Sequence, residues 1–283
     1  MAMRRNKEAG GVRPVTFLSL NGGRPQQVTG QIVEESMACI SVNGIELATF
    51  MCSPTDLDLL AIGFLYNERL IESLDDIASL HLSDSNCVDL WLHHEFERPK
   101  RLIVTAGCGG GQTFDDLSQE HPPLDLDTQA HANTLAERMK DLHLGAELYQ
   151  QARGIHTAAL ADEQGLLLQV EDIGRHNCLD KLAGAALKNR VPTRGRILLS
   201  SGRISSEMLN KARRMECPIV CSRTSPTSLS VSLAERWNIS IVAYLRQSRM
   251  RIYSHPERVL LELEQPSDGS RHPQVHNNTA EST

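Results

Sequence analysis

The sequence predicts an α/β protein, a small N-terminal α+β domain followed by a three-layer α/β domain, and three observations carry that expectation. In the second half, short apolar strand-like runs alternate with helix-like segments, the pattern of a largely parallel sheet covered on both faces. In the first half, a hairpin signal is followed by one helix and several more strands. Between them lies His121-Pro122-Pro123-Leu124-Asp125, where consecutive prolines break both helix and strand ladder. The expected domains are 14–124 and 125–264, with 1–13 and 265–283 as flexible tails because both ends are polar and turn-rich.

Taken in order, Val28–Val33 and Cys39–Val42 read as strands, and Asn43-Gly44 is a tight turn into a strand over Ile45–Met51. Ser53-Pro54 then starts a helix, with Ser53 as its cap and Leu57, Leu60, Ala61, Phe64 and Leu65 on one face. Strands near Ile77–Leu82, Cys87–Leu92 and Arg101–Val104 complete the first domain. The second runs as a helix over Thr128–Leu144, strands at His156–Asp162 and Leu166–Asp172, and a helix over His176–Asn189. A strand at Arg196–Ser200, a helix at Ser205–Met215, a strand at Pro218–Cys221, a helix at Ser228–Trp237 and a strand at Ser240–Tyr244 close it.

Composition excludes several classes. A formal net charge of −6 argues against nucleic-acid binding by the whole molecule, and 4% aromatic residues leave little for base stacking. No apolar run approaches the ~20 residues that span a bilayer, and no apolar segment follows the basic N-terminus, so a cytoplasmic protein without a signal peptide is expected. The seven cysteines are odd in number and irregularly spaced, which speaks against a disulfide framework. Cys39, Cys52, Cys87 and Cys178 sit among apolar neighbours and are expected as small buried hydrophobes. Cys217 and Cys221 straddle a strand and are expected on the sheet rather than on a metal.

Cys108 is different. In Thr105-Ala106-Gly107-Cys108-Gly109-Gly110-Gly111 the flanking glycines remove bulk and permit positive backbone torsions, so a sulfur there can meet a partner's sulfur. Backbone amides of such a loop also favour a thiolate, although glycine clusters mark ordinary turns as well.

In open α/β sheets ligands bind beyond the carboxyl ends of strands, and four polar clusters fall at such ends. They are Glu171-Asp172-Ile173-Gly174-Arg175-His176-Asn177, Ser200-Ser201-Gly202-Arg203-Ile204-Ser205, Cys221-Ser222-Arg223-Thr224-Ser225-Pro226-Thr227, and Tyr244-Leu245-Arg246-Gln247-Ser248-Arg249. Converging serines and arginines suit a phosphate-rich ligand such as a nucleotide. The structural alternatives are that Asp172 pairs with Arg175 while Asn177 caps, that Ser205 only caps a helix, and that Arg246 and Arg249 pair with surface carboxylates. His156, alone on a strand, reads as a hydrogen-bonded core residue. Neither G-x-x-x-x-G-K-[ST] nor a strand-to-helix G-x-G-x-x-G occurs, and the zinc deaminase signature is incomplete.

Together these clusters closely resemble the formate dehydrogenase accessory sulfurtransferase family, FdhD. The resemblance runs from about residue 30 to 260 through Val42-Asn43-Gly44, Gly63-Phe64-Leu65, Gly107-Cys108-Gly109, Gly154-Ile155-His156-Thr157, Glu171–Asn177, Ser201–Ser205, Ser222–Thr227 and Arg246–Arg249. It implies a C-terminal domain similar to the cytidine deaminase fold without its zinc site. It implies a persulfide carrier that takes sulfur from a cysteine desulfurase on Cys108. The sulfur then goes to molybdenum (or tungsten) bis(molybdopterin guanine dinucleotide), a client cofactor for formate dehydrogenase, with no resident metal.

Tyr244, Leu245, Arg246, Gln247, Ser248 and Arg249 are then the expected cofactor-binding residues, assisted by Ser201, Arg203 and Ser222, and the family implies a homodimer. One departure stands out. The family loop is commonly G-C-G-x-C-G, and Gly111 occupies the second cysteine's position. This leaves single-cysteine transfer but no second thiol in the loop, so a non-catalytic cofactor-binding chaperone is the alternative.

Overall fold

A computed structural model describes residues 10–99, 103–104, 112–113, 121–247 and 249–261. The tails' ends and the Cys108 loop with Gly111 lie outside the described residues, as does Ser248. The chain begins with a hairpin of β1 (Val12–Asn21) and β2 (Arg24–Val33), which pair only with each other. Of these strands the sequence reading had anticipated only the end of β2.

Alternation builds the next layer. In β3 (Ser36–Val42) Ala38, Ile40 and Val42 are buried and Met37 faces out, the period-two pattern of a sheet with one covered face. Asn43 and Gly44, both at positive φ, turn the chain into β4 (Ile45–Cys52) as expected. After α1 (Leu57–Asn67) come β5 (Ile77–Leu82) and β6 (Cys87–Leu92), giving the order β4-β3-β6-β5 with β3 and β6 parallel. Leu57, Leu60, Ala61, Phe64 and Leu65 of α1 cover the inner face, with Phe64 edge-on to Phe50 at 4.8 Å. Short strands β7 (Ile103–Val104) and β8 (Gln112–Thr113) pair antiparallel.

Two expectations fail here. Cys39 and Cys87 are not free buried hydrophobes: they face each other across β3 and β6, Cα atoms 4.5 Å apart, and form a disulfide. The spacing of 48 residues hid a pairing that only strand register creates. Ser53 does not cap α1. Asp56 occupies the cap position at φ 51° without a side-chain cap, while Ser53 Oγ accepts a bond from Ile173 N–H (3.2 Å) in the second unit.

The second unit starts with β9 (Ala130–His131), α2 (Ala132–Leu144) and α3 (Glu147–Ala152). Then follow β10 (His156–Ala161), β11 (Leu166–Asp172), α4 (Arg175–Lys188), β12 (Ile197–Ser200), α5 (Ser206–Arg214) and β13 (Ile219–Ser222). It ends with α6 (Ser228–Trp237), β14 (Ser240–Arg246), β15 (Arg249–Ile252) and β16 (Val259–Leu260). The predicted helix from Thr128 starts later because Ala130 and His131 pair with β16.

The main sheet has the order β11-β10-β12-β13-β14-β15 and is mixed rather than largely parallel: only β12, β13 and β14 run together. The turns after β10 and β14 are too short for a crossover, so β11 and β15 must return antiparallel. Leu179, Leu182, Leu209 and Trp237 of α4, α5 and α6 bury one face, and Leu135, Met139 and Leu142 of α2 bury the other, making three layers.

The two units meet through α1 and α4 at glycines. A Cβ on Gly63 would lie 1.7 Å from the Asp180 carbonyl oxygen, and one on Gly184 would lie 2.1 Å from that of Leu59, so only glycine lets the backbones approach this closely. Beside them Lys181 Nζ sits 2.6 Å from Asp172 Oδ2, both side chains fully buried. Lys181 also donates to Ser53 O (3.3 Å), and Asp172 accepts from Ser53 N–H (3.1 Å), so one ion pair holds both units.

Candidate functional site: a cationic crevice at the strand ends

Parallel register places Ser200 beside Ser222, so the chain leaves β12 and β13 side by side at one edge of the sheet. Because β10 runs antiparallel to β12, its first residues, His156 and Thr157, arrive at the same edge. Thr157 and Ser201 then lock together: Ser201 N–H donates to Thr157 O (2.9 Å) and Thr157 N–H donates to Ser201 Oγ (3.0 Å). Ser201 Oγ also lies 3.2 Å from His156 Nδ1, within hydrogen-bond distance. Burial, then the Arg175 charge, hold the His156 pKa below its ordinary value, so it is a neutral group. At Gly202 a Cβ would come 2.9 Å from Arg175 Cβ and 3.4 Å from His156 Nδ1, so the absence of a side chain lets both pack against this corner.

A cavity of about 530 Å³ opens here, lined by His143, His156, Ser201, Arg223, Thr224 and Arg246 among others. It adjoins a second of about 890 Å³ lined by Lys140, Arg223, Arg246, Gln247 and Arg249 among others, with Glu137 as the one carboxylate in its lining. His143, Arg223 and Arg246 belong to both, so the two make one crevice. Arg223 Nη1 donates to His143 Nδ1 (2.9 Å), and burial, Arg223 and Arg153 push the His143 pKa down. The imidazole therefore stays neutral and leaves the guanidinium charge uncompensated. Among the described residues, Arg223, Arg246 and Arg249 have no carboxylate partner. A concave surface with three such guanidinium groups suits an anion with several phosphate oxygens.

The expected ligand residues are placed unequally. Arg246, Gln247 and Arg249 surround the crevice, with Gln247 at φ 53° in the turn from β14 to β15. Tyr244 is partly exposed, also at positive φ, with the Arg251 guanidinium 4.5 Å from its ring centre. Leu245 is buried with the α2 side of the core while touching the crevice wall. Ser201 lines the crevice, whereas Ser222 is fully buried and spends its hydroxyl on Gly202 O (2.6 Å), shaping the loop. Arg203 is exposed and is not among the crevice residues. Cys108 and Ser248 lie outside the described residues.

The acidic cluster after β11 turns inward. Asp172 pairs with Lys181, not Arg175; Asn177 does not cap α4 but donates to Asp172 Oδ1 (2.9 Å) and Met51 O (2.9 Å). His176 Nε2 lies 3.3 Å from Ser205 Oγ and 3.4 Å from Glu207 Oε2, and burial, followed by the Lys211 charge, lowers its pKa to about 3. Ser205 does cap α5, accepting from Met208 N–H (3.3 Å). Glu171 accepts from the Leu148 and Tyr149 N–H groups (2.8 and 2.9 Å), which fixes α3 as a wall of the crevice. His156 is the hydrogen-bonded strand residue expected and also lines the crevice, whereas His143 is a lining residue that the sequence does not single out. A strand histidine carries no local mark of its surroundings, and His143 arrives from α2, remote in sequence.

The family described as FdhD/NarQ matches residues 33–260, nearly all of both units apart from the first hairpin. The chain belongs to the FdhD/NarQ family. It is 36% identical over 245 residues to a "Sulfur carrier protein FdhD" of Staphylococcus haemolyticus, covering 84% of this chain and 92% of that one. Another of that name from Shouchella clausii is 34% identical over 253 residues, covering 84% and 93%. A crystal structure of a candidate formate dehydrogenase accessory protein from Desulfotalea psychrophila superimposes with a TM-score of 0.74 at 25% identity, over 88% of this chain and all of that one. The mixed α/β architecture is thus that of FdhD/NarQ proteins. Among the described residues no helix is long and apolar enough to cross a membrane.

Proposed function

We propose that this chain is a sulfur carrier that serves formate dehydrogenase maturation, with Cys108 as its sulfur-bearing thiol. The observation that carries the reading is the crevice with three arginines that lack carboxylate partners, in a chain whose relatives are named sulfur carriers. Cys108 thiolate attacks the terminal sulfur of a persulfide on a cysteine desulfurase. The donor's S–S bond breaks, its cysteine leaves as thiolate, and Cys108 holds the transferred sulfur as a persulfide, with no net change in oxidation level. The client substrate is the molybdenum or tungsten bis(molybdopterin guanine dinucleotide), whose phosphates suit Arg223, Arg246 and Arg249. Neutral His156 and His143 add donors without repelling those cations.

Incubation with a cysteine desulfurase and cysteine, followed by intact mass, tests the carrier. A reducible gain of one sulfur atom, lost in Cys108→Ala, is expected. No adduct on Cys108 leaves a non-catalytic cofactor chaperone, the reading that Gly111 in the second cysteine's place favours. Calorimetric titration with guanosine diphosphate tests the crevice. Arg246→Ala or Arg249→Ala is expected to weaken binding by about 1.5–3 kcal/mol, the loss of a charge-assisted bond. Unchanged affinity in the double variant places the cofactor elsewhere. The same reading expects a homodimer, which light scattering measures.

A further inference from the structure

We propose that Cys39 and Cys87 form a reversible thiol–disulfide couple on the open face of the N-terminal sheet, exchanging with low-molecular-weight thiols and independent of Cys108. The pair sits where small molecules reach it. Alternation along β3 and β6 sends Ala38, Ile40 and Val88 into the core and turns Cys39 and Cys87 outward, where both are partly exposed. Their neighbours on that face, Thr49 opposite Cys39 and Met37 one pair further along, are exposed. The other described cysteines, Cys52, Cys178, Cys217 and Cys221, are buried, and burial pushes each thiol pKa up, that of Cys52 to about 12. Among the described cysteines, this pair alone is not buried.

The surrounding hydrogen bonds, not the sulfur bridge alone, hold the two residues opposite each other. Cys87 N–H donates to Ser83 Oγ (3.2 Å), Ser83 N–H donates to Cys87 O (2.9 Å), and Asn86 Nδ2 donates to Ser36 Oγ (2.9 Å) at the start of β3. Together with the β3–β6 ladder these contacts keep the Cα atoms within bridging distance when the bond is cut, so the thiols stay paired and close again. In the opening direction a small thiolate attacks one sulfur, the Cys39–Cys87 bond breaks, and a mixed disulfide forms. A second thiol resolves it: one disulfide plus two small thiols yields two protein thiols plus one small disulfide, electrons and protons in balance. Closing is the reverse, with the small disulfide as oxidant.

Equilibration of the native full-length chain in glutathione buffers of graded reduced-to-oxidised ratio, quenching with N-ethylmaleimide, and peptide mass mapping tests this. The expected result is that Cys39 and Cys87 lose and regain alkylation together, in both directions and without denaturant, and do so equally in Cys108→Ser. Independent alkylation of the two cysteines in oxidising buffer overturns the couple. So does a bridge that opens only in denaturant, which marks a purely structural link. Loss of the response in Cys108→Ser assigns the chemistry to Cys108 and overturns its independence, whereas failure of sulfur loading on Cys108 with this response intact touches only the carrier reading.

Discussion

The four-stranded sheet of β3 to β6 carries a helix on one face, while the six-stranded sheet is covered by α4, α5 and α6 on one side and α2 on the other. The same residue type behaves differently in each setting. Cys217 and Cys221, between two layers, are enclosed and hard to ionise; Cys39 and Cys87, on a face that no described helix covers, find each other and are partly exposed. Layer coverage, more than local sequence, sorts the cysteines. It also sorts polar groups: the charges at the covered junction are locked in pairs, whereas the arginines at the open strand ends have no carboxylate partner among the described residues.

The contrast breaks most severely where the two units share an ion pair. Asp172→Ala leaves the Lys181 ammonium buried without its partner and is expected to cost about 3–5 kcal/mol, read as denaturant midpoint. The double change Asp172→Ala, Lys181→Met should recover much of that loss. A single variant of near-native stability would mean that the junction is not held by this pair.

A smaller effect sharpens the difference between the sheets. Cys39→Ser with Cys87→Ser removes a crosslink spanning 48 residues, and chain entropy puts the loss at about 3–4 kcal/mol. Hydrogen exchange should show the loss chiefly in the amides of β3 and β6 and little in β12 and β13. Equal loss in both sheets would show that the units unfold together.

The last effect, read as a slope against pH, belongs to the doubly covered unit. His176 titrates at about 3 in the fold, below its ordinary 6.5, so the unfolded chain takes up a proton first as pH falls. This contribution is complete above about pH 6.5 and declines through the acid range down to about 3, by at most about 1.4 kcal/mol per pH unit. Melting temperature against pH should therefore have a shallower acid slope in His176→Gln than in the native chain, and identical slopes would reject the assignment.

Local sequence determined a good deal. The ends of β11 and α6 fall where expected, the Asn43-Gly44 turn is set by two residues that take positive φ, and the Ser205 cap needs only the helix that follows it. Strand-end clustering of Ser201, Arg223, Arg246 and Arg249 was visible because strands and helices alternate, and the motifs around Cys108 and His156 sufficed for the family. Tertiary structure decided what depends on partners far apart in the chain. Ser53 served Ile173 instead of its own helix, Asp172 chose Lys181 over Arg175, Ser222 turned its hydroxyl inward, and β11 and β15 ran antiparallel. Cys39 met Cys87 only because two strands 48 residues apart became neighbours in register. The physical reason is range: turns and caps are settled within a few residues, whereas burial, ion pairing and disulfide formation depend on which distant segments the packed layers bring together.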